Sequence, residues 1–426
     1  MSVELSQISS QFRKADVRLL FVTRFVRMFA YGFLSVLLAL YLAKLGFSEA
    51  KIGLLLTMTL AGDTAVSLWL TTTADRFGRR RTLVFGAALM LMAGIVFALT
   101  NNFIVLLIAA TIGVISPSGN EVGPFLSVEQ AGLSQIIPDH IRTNVFGWYN
   151  LVGSLATAIG ALVSGLVTQL FLNAGIPALE SYRVVVWGYA GAGLILAVLF
   201  GWLSNAIELP PHTTAAAQTA GARVFLGLHR SRGVVVKLSA LFSLDSFAGG
   251  FVMQSIVAYW FHIRFGTPPA TLGAIFFGAN ILAAISALTA AKLASRIGLI
   301  NTMVFTHLPS NVLLILVPLM PNVQLAILML LLRFSISQMD VPTRQSYVMA
   351  VVAPDERSAA AGVTAVARSV GAAISPSLAT MLLASSAMMA LPFIIGGGLK
   401  IIYDLLLYRS FAATKLQTSQ RPPEGK

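Results

Sequence analysis

Long apolar runs separated by short polar breaks recur from one end of this chain to the other. A bilayer core of ~30 Å needs roughly 20 apolar residues per spanning helix, which matches these runs. Their hydropathy predicts helices over 19–45, 51–74, 82–100, 103–127, 144–172 and 184–204. A second set follows over 236–263, 269–294, 300–319, 323–345, 358–385 and 389–408. The opening MSVELSQISSQFRKADVR is polar, and the next run carries Arg24 and Arg27 in its interior. A cleavable signal peptide has neither feature, so this run reads as a retained helix.

Composition agrees with lipid as the solvent. Of 426 residues, 57% are hydrophobic and 11% charged, against about a quarter charged in soluble domains. The mean hydropathy is +0.82. There is no cysteine, which excludes disulfides and cysteine-ligated metals, and the five histidines form no H-x-x-x-H pair. No cofactor is implied.

A net charge of +13 suggests nucleic acid only if it forms a basic face on a soluble domain. With a cytoplasmic N-terminus, twenty of the 29 Lys and Arg residues fall on cytoplasmic segments. Four (Lys44, Lys51, Arg183, Arg264) fall outside, and five lie within spans. That asymmetry orients a multi-pass protein of the cytoplasmic (inner) membrane with both termini inside. It accounts for the charge without nucleic acid and favours anionic membrane lipid as a partner.

The chain also repeats itself. R27-M-F-A-Y-G-F33 aligns with D245-S-F-A-G-G-F251. Gly46, followed by Gly53, matches Gly266, followed by Gly273. Glu129-Gln130 precedes Arg142 by the thirteen residues that separate Arg344-Gln345 from Arg357. Three matches in chain order point to one six-helix unit present twice. Asn205 to Val235, rich in Pro, Thr, Ala and Gln, is the one long polar break between spans. The expected domains are an N-terminal bundle at 1–204, a cytoplasmic linker at 205–235, and a C-terminal bundle with a short cytoplasmic tail at 236–426.

Between the second and third runs stands ADRFGRRR, Ala74 to Arg81, which resembles the loop signature G-x-x-x-D-R-x-G-R-R of the major facilitator superfamily. Thr71 replaces its first glycine. The second half reads S295-R-I-G298-L-I-N-T302 there, keeping Arg296 and Gly298. The resemblance implies an all-α integral membrane fold: twelve transmembrane helices in two pseudo-symmetric six-helix bundles around a central cavity. It also implies secondary transport of a small-molecule substrate by alternating access; a monomer is expected. Asp75, Arg76, Gly78, Arg79 and Arg80 would then latch the halves on the cytoplasmic side, beyond holding the loop there by charge. Asp75 can sit at a helix N-terminus near Ser358, where the dipole favours an acid. Arg79 can pair with Glu129, or with Glu121, and Arg344 stands at the place of Glu129 in the second half.

Ionisable residues inside spans are expensive in lipid and are functional candidates. Arg24, Arg27, Asp63, Glu121, Asp245, Arg333 and Arg368 form the expected substrate and proton-coupling set. Two readings of Arg27 compete: a partner across the cavity in Asp245, which the repeat puts at the same depth, or a local pair with Asp63. A carboxyl group whose cationic partner moves away takes up a proton, which gives Asp245 and Asp63 a route to coupling. Glu121 lies in SPSGNEVGP, where Pro and Gly weaken the helix, and irregular backbone at membrane depth lines cavities. Arg333 and Arg368 each read as a substrate contact or a structural ion pair. Lys400 and Asp404, four apart, are expected to neutralise each other. Five cations against three acids at mid-span leave an excess of two unless Glu121 and Asp340, nearer the cytoplasmic end, supply the balance; a residual positive cavity would favour an anionic substrate.

The leading expectation is a proton-coupled transporter of a small organic solute, with efflux ahead of import. Two departures from antiporter signatures weigh against export: Gly160 to Gly165 lacks the signature proline, and the fourth span carries Glu121 where drug antiporters carry an arginine. An organic-anion symporter or exchanger using Arg24 and Arg27 is the second reading. A membrane sensor or lipid enzyme is a distant third, because the chain has no phosphate-binding loop and no nucleophile–base–acid set.

Overall fold

The computed structural model describes residues 2–208, 228, 230–353 and 356–411. The long apolar runs are helical apart from the breaks described below, because in lipid a backbone must satisfy its own hydrogen bonds. The first half comprises α1 (Ser2–Ser35), α2 (Leu38–Lys44), α3 (Glu49–Phe77), α4 (Arg79–Leu99), α5 (Phe103–Ile112), α6 (Phe125–Ile136), α7 (Asp139–Asn173) and α8 (Ala178–Gly201). The second comprises α9 (Arg232–Gly250), α10 (Gln254–Phe265), α11 (Pro269–Ile297), α12 (Leu299–Leu316), α13 (Val323–Ser337), α14 (Asp340–Val351), α15 (Arg357–Leu383) and α16 (Leu391–Phe411).

Among the described residues, ten helical stretches are long and apolar enough to cross a membrane, or eleven if the α1–α2 pair, bent by 45°, is one span. An unbroken count of twelve is not met, and the difference lies in the expected span 103–127. There Asn102 caps α5 by accepting from the backbone N–H of Ile104 and Val105. The chain then leaves the helix from 113 to 124, through Pro117, Gly119 and Gly123, before α6 begins. Its freed backbone groups are not left bare. Tyr31 donates to the Val122 carbonyl at 3.1 Å, Tyr189 donates to that of Val114, and the Ser255 N–H donates to that of Pro117 at 3.2 Å.

The repeat is visible in the backbone. Single glycines join α3 to α4 and α11 to α12, Gly78 with φ 96° and Gly298 with φ 88°. A side chain at either would be strained, which explains why the degenerate second copy of the loop keeps its glycine. Gly46 and Gly266 likewise share positive φ, 86° and 64°. The opening span of each half breaks at about the same place, after Ser35 in one and after Gly250 in the other. The expected linker is described only at its ends: Asn205–Ile207 form a short 3-10 turn, α9 begins at Arg232, and residues 209–227 and 229 lie outside the described residues. The tail from 412 lies outside them too.

The chain forms two compact units. The first contains Met1–Gly221, Gly250–Ile281 and Ala373–Pro392; the second contains Ala222–Gly249, Leu282–Ala372 and Phe393–Lys426. In the first, α1 and α7 meet backbone to backbone, with Gly32 against the Thr157 carbonyl and Gly160 against that of Phe29. This is the close approach that small residues allow when no hydrophobic drive separates helix from lipid. Polar side chains also join segments of the two halves inside this unit. Gln254 donates to Ser35 at 2.8 Å, and the Thr57 and Ser377 hydroxyls share a hydrogen bond of 2.8 Å. The core of the second unit is built on Leu238, Phe242, Tyr347, Tyr403 and Leu407.

Candidate functional site

Each half holds a buried cluster of charge. In the first, Arg27 of α1 is fully buried and donates to Glu129 of α6 through Nη1 at 2.8 Å and Nη2 at 2.5 Å. Its Nε donates to Glu121 at 2.8 Å. Thr23 donates to Glu129 at 2.9 Å, and the Tyr149 hydroxyl also donates to it. Arg24 pairs with the other Glu121 oxygen and lies over the Tyr149 ring, 5.0 Å from its centroid. Gly153 leaves room for that guanidinium, since a Cβ there would meet Arg24 Nε at 2.7 Å. Two arginines are matched by two glutamates, so the cluster is neutral.

In the second half Asp245 of α9 accepts from Arg344 Nη1 at 2.9 Å and Lys400 Nζ at 2.5 Å. Arg344 also pairs with Asp340 at 3.1 Å. Behind them His307 Nδ1 lies 2.8 Å from Asp404, whose second oxygen accepts from Asn311 at 2.9 Å. His307 Nε2 is 4.0 Å from Asp245.

These contacts correct four sequence expectations. Arg27 does not pair with Asp63, and its carboxylates are Glu121 and Glu129, which the break at 113–124 and the start of α6 bring against α1. Asp245 draws its partners from its own half. Lys400 and Asp404 do not neutralise each other; Lys400 turns to Asp245, and Asp404 to His307 and Asn311. Arg79 does not reach Glu129, which is sealed inside the Arg27 network. Glu129 and Arg344 thus join the buried clusters instead of the loop.

The loop has its own contacts. Arg79 Nε pairs with Asp75 at 3.0 Å, and its Nη1 donates to Gln135 at 2.7 Å and to the Ile207 carbonyl at 2.9 Å. Arg80 donates to the Leu203 carbonyl at 3.1 Å. Glu208 accepts from the backbone N–H of Arg79 at 2.7 Å and of Arg80 at 3.0 Å, capping α4. The loop therefore ties α3, α4 and α6 to 203–208. Arg76 is exposed, and the side chain of Ser358 lies outside those described.

Asp63 of α3 accepts from the Gly123 N–H at 2.6 Å and from the Ser67 hydroxyl at 3.1 Å. No cation bridges to it among the described residues. Arg333 and Arg368 are half-buried, and each has a buried Nε without a hydrogen-bond partner among the described residues. Sequence reasoning missed Tyr149, Glu208, His307 and Asn311. His307 and Asn311 stand four apart on α12, the one available hint that they share a face.

Each half thus carries a buried charge cluster, beside the glycine-linked loop of basic residues. A family model described as Major Facilitator Superfamily matches residues 20–376. The chain belongs to the Major Facilitator Superfamily. Within it, the chain is 33% identical over 417 residues to a Saccharomyces cerevisiae protein described as "Uncharacterized membrane protein YJR124C", covering 92% of this chain and 93% of that one. Over 155 residues it is 23% identical to quinolone resistance protein NorA of Staphylococcus aureus, covering 36% of this chain and 39% of that one. A crystal structure of a mutant of the nucleoside transporter NupG superposes with a TM-score of 0.75 at 14% identity, covering 93% of this chain and all of that one. The superfamily fold makes this an integral multi-pass membrane transporter of a solute.

Proposed function

We propose that this transporter moves a small organic solute by alternating access of its two six-helix halves, 1–204 and 236–426, with proton movement coupled to the solute. The observation that carries this reading is Asp63: a carboxyl group within α3, held by one N–H and one hydroxyl with no bridging cation among the described residues. An ionisable residue inside a span is a functional candidate, and this acid is where we put the coupled proton. Asp245 is less suited, because Arg344 and Lys400 hold it from two sides. The Gly123 N–H bound to Asp63 belongs to the irregular segment that also presents Glu121, so a change at Asp63 reaches the Arg24–Arg27 cluster through a single hydrogen bond.

Export is the favoured direction, supported by the likeness to a quinolone resistance protein over 155 residues. The concentration of Lys and Arg on one side supports cytoplasmic termini and contact with anionic lipid. An organic-anion site at Arg24 and Arg27 loses support, since Glu121 and Glu129 already match both charges.

The test is purified protein in liposomes with an internal pH dye, challenged with a solute panel. A solute that shifts internal pH through the parent and not through Asp63→Asn supports the reading. Solute flux with no proton movement in the parent refutes coupling.

A further inference from the structure

The charges gathered around Asp245 in the second half do not sum to zero. Asp245, Asp340 and Asp404 are the acids of that cluster, and Arg344, Lys400 and His307 are bridged to them. Glu356, also buried, accepts from the backbone N–H groups of Arg230 and Ser231. If His307 is counted as a cation, these six groups balance and Arg333 and Arg368 are both left over. If it is neutral, one cation is still left over. Neither arginine has an acidic partner within ion-pair distance among the described residues. Arg333 instead lies over the Phe334 ring, 4.9 Å from its centroid.

Both belong to the same neighbourhood: each interacts electrostatically with Asp245 and Asp340, and Arg368 also with Arg344. Their exposure distinguishes them from Arg27 and Arg344. Those two are sealed, whereas Arg333 and Arg368 are only partly buried, each with a buried Nε that has no hydrogen-bond partner among the described residues. A guanidinium held inside a span without its counter-charge is costly, and its fixed fork of donors fits a carboxylate, phosphate or sulfonate.

We propose that Arg333 of α13 and Arg368 of α15 form the anion-recognising part of the solute site, so that the cargo is an organic anion. The proposal deepens the transport reading above and rests on it for the site being a solute site. The missing counter-charge is supplied by the cargo, and the Arg344–Asp245–Lys400 bridges behind the two arginines hold the neighbouring charges in place.

The test uses the full-length protein in detergent, with thermal unfolding followed by tryptophan fluorescence. The probes are benzoate, succinate, glucose phosphate and naphthalenesulfonate, each beside its uncharged counterpart: benzamide, succinamide, glucose and naphthalenesulfonamide. An anion is expected to raise Tm where its counterpart does not. Arg333→Gln or Arg368→Gln should weaken that anion by at least about tenfold, the loss of one charge-assisted hydrogen bond. Arg→Lys at either position should retain part of the effect.

A second arm needs no ligand. Neutralising Arg333 or Arg368 should leave the ligand-free Tm unchanged or raised, because no bridge is broken, whereas Arg344→Gln should lower it. The proposal is overturned if either Gln variant lowers the ligand-free Tm as far as Arg344→Gln does. It is also overturned if no anion exceeds its uncharged counterpart, or if the anion effect survives both substitutions. No pH gradient is involved, so a failure of proton coupling leaves this result standing, and the reverse also holds.

Discussion

Arg27 donates two hydrogen bonds to Glu129, and the residues at their places in the second copy, Asp245 and Arg344, form the same bridge with the charges exchanged. In both halves the opening helix is thereby pinned to the helix that ends the broken fourth span or its counterpart. The duplication has kept the bridge and its position while its polarity reversed. Reversal costs nothing inside a half, because only the pair has to be neutral.

The bridge should therefore behave as a coupled unit. A double-mutant cycle of Arg27→Gln and Glu129→Gln is expected to give a coupling energy of about 2 kcal/mol in detergent unfolding, because each single change strands a buried charge. Additive single effects would show that the two charges are held independently.

Asp63 separates a structural role from a protonic one. Asp63→Asn keeps an acceptor for the Gly123 N–H and should preserve stability while abolishing pH-driven flux. Asp63→Ala strands that donor and should also cost about 1–3 kcal/mol of stability. Equal stability losses in the two variants would mean the carboxylate charge itself holds the fold.

At the basic loop, Glu208→Ala removes the acceptor for two N–H groups at the start of α4 and should destabilise that end by about 1 kcal/mol. Hydrogen exchange at residues 79–83 would report it. Asp75→Asn and Arg79→Ala are expected to slow transport with insertion unchanged, and transport at the parental rate in both would rule out a gating role for the loop.

The hydroxyl contact between Thr57 and Ser377 offers a reversible lock. The chain has no cysteine, so Thr57→Cys with Ser377→Cys introduces the only thiols. Oxidation should cross-link them and stop transport, and reduction should restore it. Full activity in the cross-linked protein would show that this contact need not open.

How much of this was legible in the chain differs between the fold and the site. Span positions, the two-fold repeat and the glycine links follow from local rules: apolar length against bilayer thickness, and the backbone freedom that Gly78 and Gly298 require. The break at 113–124 was legible as a weakness, from Pro117, Gly119 and Gly123, though not as a loss of helix. The charged residues of the site were legible as a set, because charge inside a span is rare enough to stand out.

Their partners were not legible, because pairing depends on which helix faces reach one another. Lys400 and Asp404 show this most simply: four residues apart they look like a pair, yet packing turns one toward α9 and the other toward α12. Glu129 reads from the chain as a partner for Arg79, yet packing places it in the Arg27 cluster, where Arg27, Thr23 and Tyr149 together satisfy its oxygens. Local rules along the chain suffice for a membrane transporter fold, its repeat and the identity of its intramembrane charges. Which of those charges cancel depends on packing, because neutrality in a low-dielectric interior is settled by contact and not by order along the chain.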